Sequence, residues 1–332
     1  MAGSFEPKIA VVGAGAMGCL FGGLLSEGGL DVTLIDVRQD QVDAINRDGL
    51  KIVGYGGNRS IHVPATTDPG TVGVADVVLV HTKAYDTVAA IEGARPVIGD
   101  ETVLISFQNG LGNEETIAGI VGEQKVLGGL TAQGAVPEGL GVVRNYSDLP
   151  SYVGELFGGE LFGGELFGGE RFGGDGAVTD RVQRIADAFS AAGLDTHASA
   201  DIRRDIWKKL LGNIGLSAAS GATDLSSAEM AAIPELRATI DRAVEEAAAV
   251  ARADGVDIGD TEKNEVLEKL LSTTAGTGAS KSSLNVDLHN RRRTEIDTIY
   301  GSVTKIAREH GVATPTLDTL IGIVKGLERH YL

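Results

Sequence analysis

The strongest constraint on the fold is a glycine-rich turn that follows an apolar run near the start of the sequence. The run "KIAVVG" leads into "GAGAMG", residues Gly13 to Gly18, with glycines at its first, third and sixth positions. A strand, such a turn and a helix are typical of dinucleotide-binding folds. Gly13 would allow the tight turn, Gly15 would let a pyrophosphate approach the backbone, and Gly18 would let the helix pack on the strand. Ala16 and Met17 would then present first-turn N–H groups to the phosphates.

A second apolar run, "DVTLID", ends in Asp36, where a carboxylate would accept hydrogen bonds from a ribose diol. Because a carboxylate there repels a 2′-phosphate, the sequence favours NAD(H) over NADP(H). Arg38 could stack on adenine or pair with a phosphate, so NADP(H) stays possible. A glycine turn that is only structural is the alternative interpretation.

Apolar runs alternate with helical patterns through the first half of the chain. Buried strands are predicted at 8–13, 31–36, 76–82 and 102–107, each followed by a segment of helical composition. That alternation indicates an α/β fold with a Rossmann-type, doubly wound parallel sheet. Two more strands are expected in "KVLGGLTAQGAV" and "LGVVRNY", joined at "PEGLG". A helix in "VTDRVQRIADAFSAAG" and a strand in "LDTHA" complete this half.

After residue 200 the strand signals stop. Apolar spacing predicts helices over 201–217, 235–254, 262–272, 294–310 and 316–329. We therefore expect two domains: a dinucleotide-binding Rossmann domain at 1–200 and an all-helical C-terminal domain at 201–332, which carries substrate and catalytic residues.

Residues 155–174 are four tandem copies of E-[L/R]-F-G-G. Two glycines in every five residues oppose a helix, and the period is far shorter than that of a solenoid repeat. We interpret the segment as an expanded surface loop or hairpin. A phenylalanine patch used in self-association is the alternative.

The formal charge of −17 and the pI near 4.8 oppose binding to nucleic acid. An anionic small ligand would need local cations or aligned N–H groups. The sequence has no apolar run of membrane-spanning length and no export signal, and its single cysteine, Cys19, fits a reducing compartment. We expect a cytoplasmic protein with no nucleic-acid or membrane partner and no metal. Adaptation to salt is a further explanation of the acidity.

Polar side chains at strand ends and on one helical face are the candidates for chemistry. Lys83 follows the strand at 76–82 and Asn109 follows the strand at 102–107, at the sheet edge where ligands bind in open α/β folds. In "IWKKLLGN", Lys209 and Asn213 are four residues apart and share a helical face, from which Lys208 is turned away. Each alone could be a surface or turn residue. Their occurrence together favours a functional site.

Together, "GAGAMG", "TKAYDT", "QNGLGNEE", "IWKKLLGN", "SSLNVDLHNRRRTEIDTIYG" and "GVATPTLDTL" resemble the ketopantoate reductases (2-dehydropantoate 2-reductases) over nearly the whole chain. The resemblance implies NAD(P)H-dependent reduction of a small anionic 2-oxo acid, and we expect a homodimer. It implies that Lys209 is the catalytic lysine and that Asn213 orients the substrate. It also places Glu295 and Ser283 against the substrate, and Lys83 and Asn109 near the nicotinamide and substrate.

The chemistry of that reaction agrees with those implied roles. Hydride delivery to a 2-oxo acid builds negative charge on the carbonyl oxygen, which must receive a proton. Lys209 could do both if partial burial and a second cation such as Lys83 lower its pKa towards neutrality. Glu295 would pair with Lys209 or accept a hydroxyl. Without the resemblance, it would be interpreted as a carboxylate at a helix start after Thr294.

Two positions depart from the family pattern. Ser217 lies where a second asparagine commonly follows the first, and Ser227 lies at another substrate-side asparagine position. Ser217 stays a candidate substrate contact, but pantoate-type hydroxyls would lose amide partners. An NAD-dependent hydroxy-acid or alcohol dehydrogenase of the same fold is therefore the first alternative. A dinucleotide-binding sensor without turnover is the second.

Overall fold

The computed structural model describes residues 5–157, 178–271 and 281–332. The chain forms two compact units: the described residues of Met1–Gln108 with Asn113–Ile202, and those of Asn109–Gly112 with Arg203–Leu332. The loop 109–112 therefore groups with the helical part of the chain, which its position in the sequence does not indicate. The repeat predicted to form a loop or hairpin lies outside the described residues, apart from its first three positions.

A mostly parallel sheet of eight strands organises the first unit. The described residues of this unit form twelve strands: β1 (Ile9–Val12), β2 (Val32–Ile35), β3 (Leu50–Gly54), β4 (Arg59–Ile61), β5 (Ala65–Thr66), β6 (Ala75–Val80), β7 (Ile98–Ser106), β8 (Val126–Thr131), β9 (Ala135–Gly139), β10 (Val142–Asn145), β11 (Ser151–Glu155) and β12 (Thr196–Ala198). The order of the large sheet is β12-β11-β8-β7-β6-β1-β2-β5, and β11 runs antiparallel to β8. The predicted doubly wound α/β architecture is confirmed.

Both faces of the central strands are buried. In β1, Ile9 and Val11 belong to one apolar cluster, and Ala10 and Val12 belong to the other. Because successive side chains of a strand point to opposite faces, this division explains why the strand is an unbroken apolar run. The α-helices of the unit are α1 (Ala16–Glu27), α2 (Gln39–Asp48), α3 (Thr87–Gly93), α4 (Asn113–Val121) and α5 (Asp180–Ala191).

A smaller sheet in the order β4-β3-β10-β9 adjoins α1. The antiparallel pairing of β9 with β10 matches the expected turn at "PEGLG". The parallel pairing of β10 with β3 joins segments that are far apart in the sequence, so the local pattern gave no sign of it.

The described residues of the second unit form helices joined by loops, with no strand among them, as the sequence predicts. Its elements are α6 (Ile202–Thr223), α7 (Ser227–Ala231), α8 (Pro234–Ala253), α9 (Asp260–Leu271), α10 (Ser283–His289), a π-helix (Asp297–Gly301), α11 (Ser302–His310) and α12 (Pro315–Glu328). Trp207 and Tyr300 are the largest of its fully buried side chains. None of the helices in the described parts of the chain is long and apolar enough to cross a membrane.

Candidate active site

The glycine-rich turn between β1 and α1 is built around close backbone contacts. Gly13 has a φ of +98°, and a Cβ on it would lie 2.9 Å from the backbone nitrogen of Thr82. A Cβ on Gly18 would lie 1.9 Å from the carbonyl oxygen of Gly13. Gly15, at the N-cap of α1, is exposed, and nothing lies within 4 Å of the corresponding position. The turn is thus closed at its base and open at Gly15, which fits a pyrophosphate group.

Asp36 ties the end of β2 to this turn. Its Oδ2 accepts a hydrogen bond from the N–H of Ala14 at 2.7 Å, and its Oδ1 accepts one from the N–H of Arg38 at 2.9 Å. The Arg38 guanidinium pairs instead with Asp40, at 2.8 Å on an exposed surface. Asp36 therefore lies beside the glycine turn, bound to Ala14, which is next to Gly15 in the chain.

The N–H of Ala14 is bound by Asp36, and its carbonyl oxygen is bound by a buried glutamine, Gln41. Gln41 of α2 donates through Nε2 to the carbonyl oxygen of Ala14 at 2.9 Å, and its Oε1 accepts from the N–H of Gly141 at 3.0 Å. Cys19 Sγ donates to the same Ala14 oxygen at 3.2 Å, and burial raises the pKa of this thiol to about 12, so it stays protonated. Sequence reasoning did not find Gln41, because its partners are distant in the chain.

Lys83 directly follows Thr82, whose backbone lies close to Gly13 of the glycine turn. The lysine is half-buried and precedes a short turn at Ala84–Asp86. Gln108, two residues after β7, donates through Nε2 to the carbonyl oxygen of Thr82 at 2.8 Å and to Thr87 Oγ1 at 2.8 Å. The carboxyl ends of β1, β6 and β7 are therefore fastened together at this edge of the sheet.

Helix α6 carries Lys209, Asn213 and Ser217 at intervals of four residues, so all three lie along one face. Lys209 and Asn213 are half-buried, and Ser217 is buried. The adjacent Lys208 is ion-paired: its Nζ lies 3.2 Å from Glu262, which also pairs with Arg204. Lys208 and Lys209 are consecutive residues of the helix and therefore point in different directions from its axis.

Glu295 is buried and directly precedes the turn that opens the π-helix. The extended segment before it is held by α12, because Glu328 accepts a hydrogen bond from the N–H of Thr294 at 2.7 Å. Lys325 pairs with Asp297 at 2.6 Å. A π-helix in this place is notable, since such turns occur frequently at functional sites.

Contacts inside the second unit connect the elements that carry the predicted substrate residues. The loop with Asn109 reaches the π-helix, where the N–H of Leu111 donates to the carbonyl oxygen of Thr298 at 3.4 Å. Ser282, the N-cap of α10, donates to the carbonyl oxygen of Ser217 at 3.4 Å. Ser283 follows it and is exposed, whereas Ser227 is fully buried. The unit thus links the elements bearing Asn109, Glu295, Ser217 and Ser283.

The sheet, the glycine turn with its carboxylate and the helical unit that follows define a class of protein, the Rossmann-type oxidoreductases. Comparison with known families then gives the particular one. The model described as "Ketopantoate reductase PanE/ApbA" matches residues 9–157, and the model of the same family's C-terminal part matches residues 201–328. The chain belongs to the ketopantoate reductase family.

Individual relatives agree with that assignment. A 2-dehydropantoate 2-reductase of Halobacterium salinarum is 33% identical over 97% of this chain and 99% of its own length. The enzyme of the same name from Pyrococcus abyssi is 32% identical, with 97% and 98% coverage. Among solved structures, D-mandelate dehydrogenase with NADH and anilino(oxo)acetate superposes with a TM-score of 0.87 at 26% identity, covering 98% of this chain and 99% of that one.

Proposed function

We propose that this protein reduces a small 2-oxo acid by hydride transfer from a nicotinamide dinucleotide, with 2-dehydropantoate as the first candidate substrate. The arrangement that supports this proposal best is the face of α6. It places Lys209 and Asn213 one turn apart and half-buried, in the same compact unit as the buried Glu295. A cation, an amide and a carboxylate are the groups that this reaction requires.

In the proposed mechanism the dinucleotide supplies the hydride, and the residues of the protein bind the substrate and move the proton. The Lys209 ammonium attracts the carbonyl oxygen of the substrate and gives it a proton from Nζ as negative charge develops there. Asn213 donates from its side-chain amide and fixes the orientation of the carbonyl. Glu295 accepts a hydrogen bond from a substrate hydroxyl or pairs with Lys209, and Asn109, Ser217 and Ser283 are the further candidate contacts.

For the cofactor we propose NAD(H). Asp36 lies at the end of β2 beside the open glycine turn, where a 2′-phosphate would meet its charge. The pairing of Arg38 with Asp40 supports this preference, because the guanidinium that could meet a 2′-phosphate is already partnered by a second carboxylate. Exposed ion pairs are weak, so Arg38 could still turn towards a phosphate, and NADP(H) is the competing cofactor.

The test of this proposal is a turnover assay of both reduced cofactors against a panel of 2-oxo acids that includes 2-dehydropantoate. We expect oxidation of NADH with at least one of these acids, and a lower KM for NADH than for NADPH. The same enzyme should show no turnover with simple aldehydes. If no 2-oxo acid supports oxidation of either cofactor, the proposed reaction is wrong.

A second candidate is an NAD-dependent hydroxy-acid dehydrogenase that works in the oxidising direction. Its support is the structural likeness to D-mandelate dehydrogenase together with Ser217 and Ser227, which are buried and supply no amide. The panel should therefore also be run from the hydroxy-acid side with NAD. Faster turnover of an aromatic 2-hydroxy acid than of pantoate would favour this candidate.

A further inference from the structure

The buried phenol of Tyr300 makes an unusual pair of contacts with the backbone of α6. Its hydroxyl donates to the carbonyl oxygen of Ile214 at 2.5 Å and accepts from the N–H of Ala218 at 3.0 Å. Those two groups are four residues apart and are the ones that would close that turn of α6 directly. The phenol therefore bridges one rung of the helical hydrogen-bond ladder.

A side chain that enters the ladder in this way changes the local direction of a helix. A hydroxyl between a carbonyl and an N–H also lets them stand further apart than a direct hydrogen bond would. The bridged turn lies directly after Asn213 and contains Ser217. A change of direction at this turn would alter how the Lys209 and Asn213 part of α6 is set relative to the Ser217 part.

The same residue connects this turn to Glu295. Tyr300 is in the π-helix, five residues after Glu295 in the sequence. It is completely buried, with 0% of its surface exposed to solvent. Burial raises the pKa of Tyr300 well above its ordinary range, so the phenol keeps the proton that it donates to Ile214. One hydroxyl thus spans the two elements that carry the proposed proton donor and the proposed carboxylate.

We propose that Tyr300 is a positioning residue that sets the Lys209–Asn213 face of α6 against the Glu295 segment by bridging Ile214 and Ala218. The inference rests on the function proposed above. Removing the Tyr300 hydroxyl can distinguish a positioning role from a structural one, because the carbonyl of Ile214 and the N–H of Ala218 can then bond to each other. The turn can therefore close without leaving an unsatisfied buried group.

The experiment compares Tyr300→Phe with Tyr331→Phe. Tyr331 also donates its phenol proton to a backbone carbonyl of this unit, that of Arg292 at 2.9 Å, in an exposed hydrogen bond outside the α6 ladder. Steady-state kinetics with the best 2-oxo acid, NADH affinity by fluorescence titration and thermal unfolding are measured for both. For Tyr300→Phe we expect kcat/KM for the acid to fall about tenfold to a hundredfold, because small misplacements of reacting groups have effects of that order. NADH affinity and the unfolding temperature should stay close to those of Tyr331→Phe.

Three results would overturn the inference: turnover by Tyr300→Phe equal to that of Tyr331→Phe, a loss of turnover that only parallels a loss of stability, or failure of the variant to fold. The last would show that the turn does not close without the phenol. Lys209→Ala and Glu295→Gln are measured in parallel. If these two keep full turnover, the proposed roles on both elements fail, and the inference about Tyr300 fails with them. If they lose turnover and Tyr300→Phe does not, only the inference is wrong.

Discussion

At the scale of single residues, His81 in the first unit shows how burial shifts the pKa of a side chain. Its ring is stacked on Phe107, with centroids 5.5 Å apart, and makes a T-shaped contact with Phe21, with centroids 4.7 Å apart. Although the residue as a whole is only half-buried, its Nε2 is fully buried without a hydrogen-bond partner among the described residues. This desolvation lowers the pKa of His81 from 6.5 to about 3. The folded protein therefore keeps the imidazole neutral.

That lowered pKa predicts a loss of stability in mild acid. Between pH 6.5 and about 3 the unfolded chain binds a proton at His81 that the folded chain does not, so the free energy of unfolding falls as the pH falls. Relative to neutral pH, this one group should cost about 2 kcal/mol at about pH 5. Urea unfolding of the wild type and of His81→Phe at the two pH values measures it. The variant should lose less stability on acidification, and equal losses would contradict the buried, neutral imidazole.

At the scale of elements, the start of α1 combines a rigid base with an open N-terminus. Gly15 has a φ of −74°, which alanine tolerates, and an added Cβ would meet no protein atom within 4 Å. We therefore expect Gly15→Ala to fold normally but to weaken NADH binding by about tenfold or more, equivalent to about 1.4 kcal/mol, because the methyl group would occupy the space of the pyrophosphate. Calorimetric titration with NADH measures this effect.

The control is Gly119→Ala, an exposed position in α4 where a Cβ also meets nothing within 4 Å. Alanine there should stabilise the helix by about 1 kcal/mol and leave NADH affinity unchanged. Equal NADH affinity in the two variants would show that Gly15 does not face the cofactor.

Elements with a strong local pattern were predictable from the sequence, and long-range pairings were not. β1, β2, β6 and β7 are apolar runs that carry their burial in their own composition. β3 and β4 lie in a glycine-rich stretch, where β4 pairs with β3 and β3 pairs with the distant β10. α10 is too short to show a clear period. The glycine turn and the α6 face follow from local spacing. Gln41 and Tyr300 were missed, because their polar partners are set by the fold and not by neighbouring residues.

At the scale of the whole molecule, the dominant physical property is the charge of −17. Repulsion among unpaired carboxylates destabilises a compact acidic protein, and salt weakens that repulsion by shortening the Debye length from about 10 Å at 0.1 M to about 3 Å at 1 M. We expect the thermal unfolding temperature to rise with sodium chloride over that range. A sucrose series of matched osmolality controls for exclusion of solutes from the surface. An unfolding temperature that falls or stays constant with salt would show that ion pairs outweigh the repulsion.

The central claim is that the Lys209 ammonium, on one face of α6, protonates the oxygen of a 2-oxo acid during reduction. Its most direct test is kcat for Lys209→Ala beside Lys208→Ala, a neighbour with the same charge that is paired with Glu262 on another face of the helix. The account predicts that Lys209→Ala lowers kcat by about 10²- to 10⁴-fold with NADH affinity unchanged, and that Lys208→Ala stays within a few-fold of wild type. Equal turnover by the two variants would contradict it.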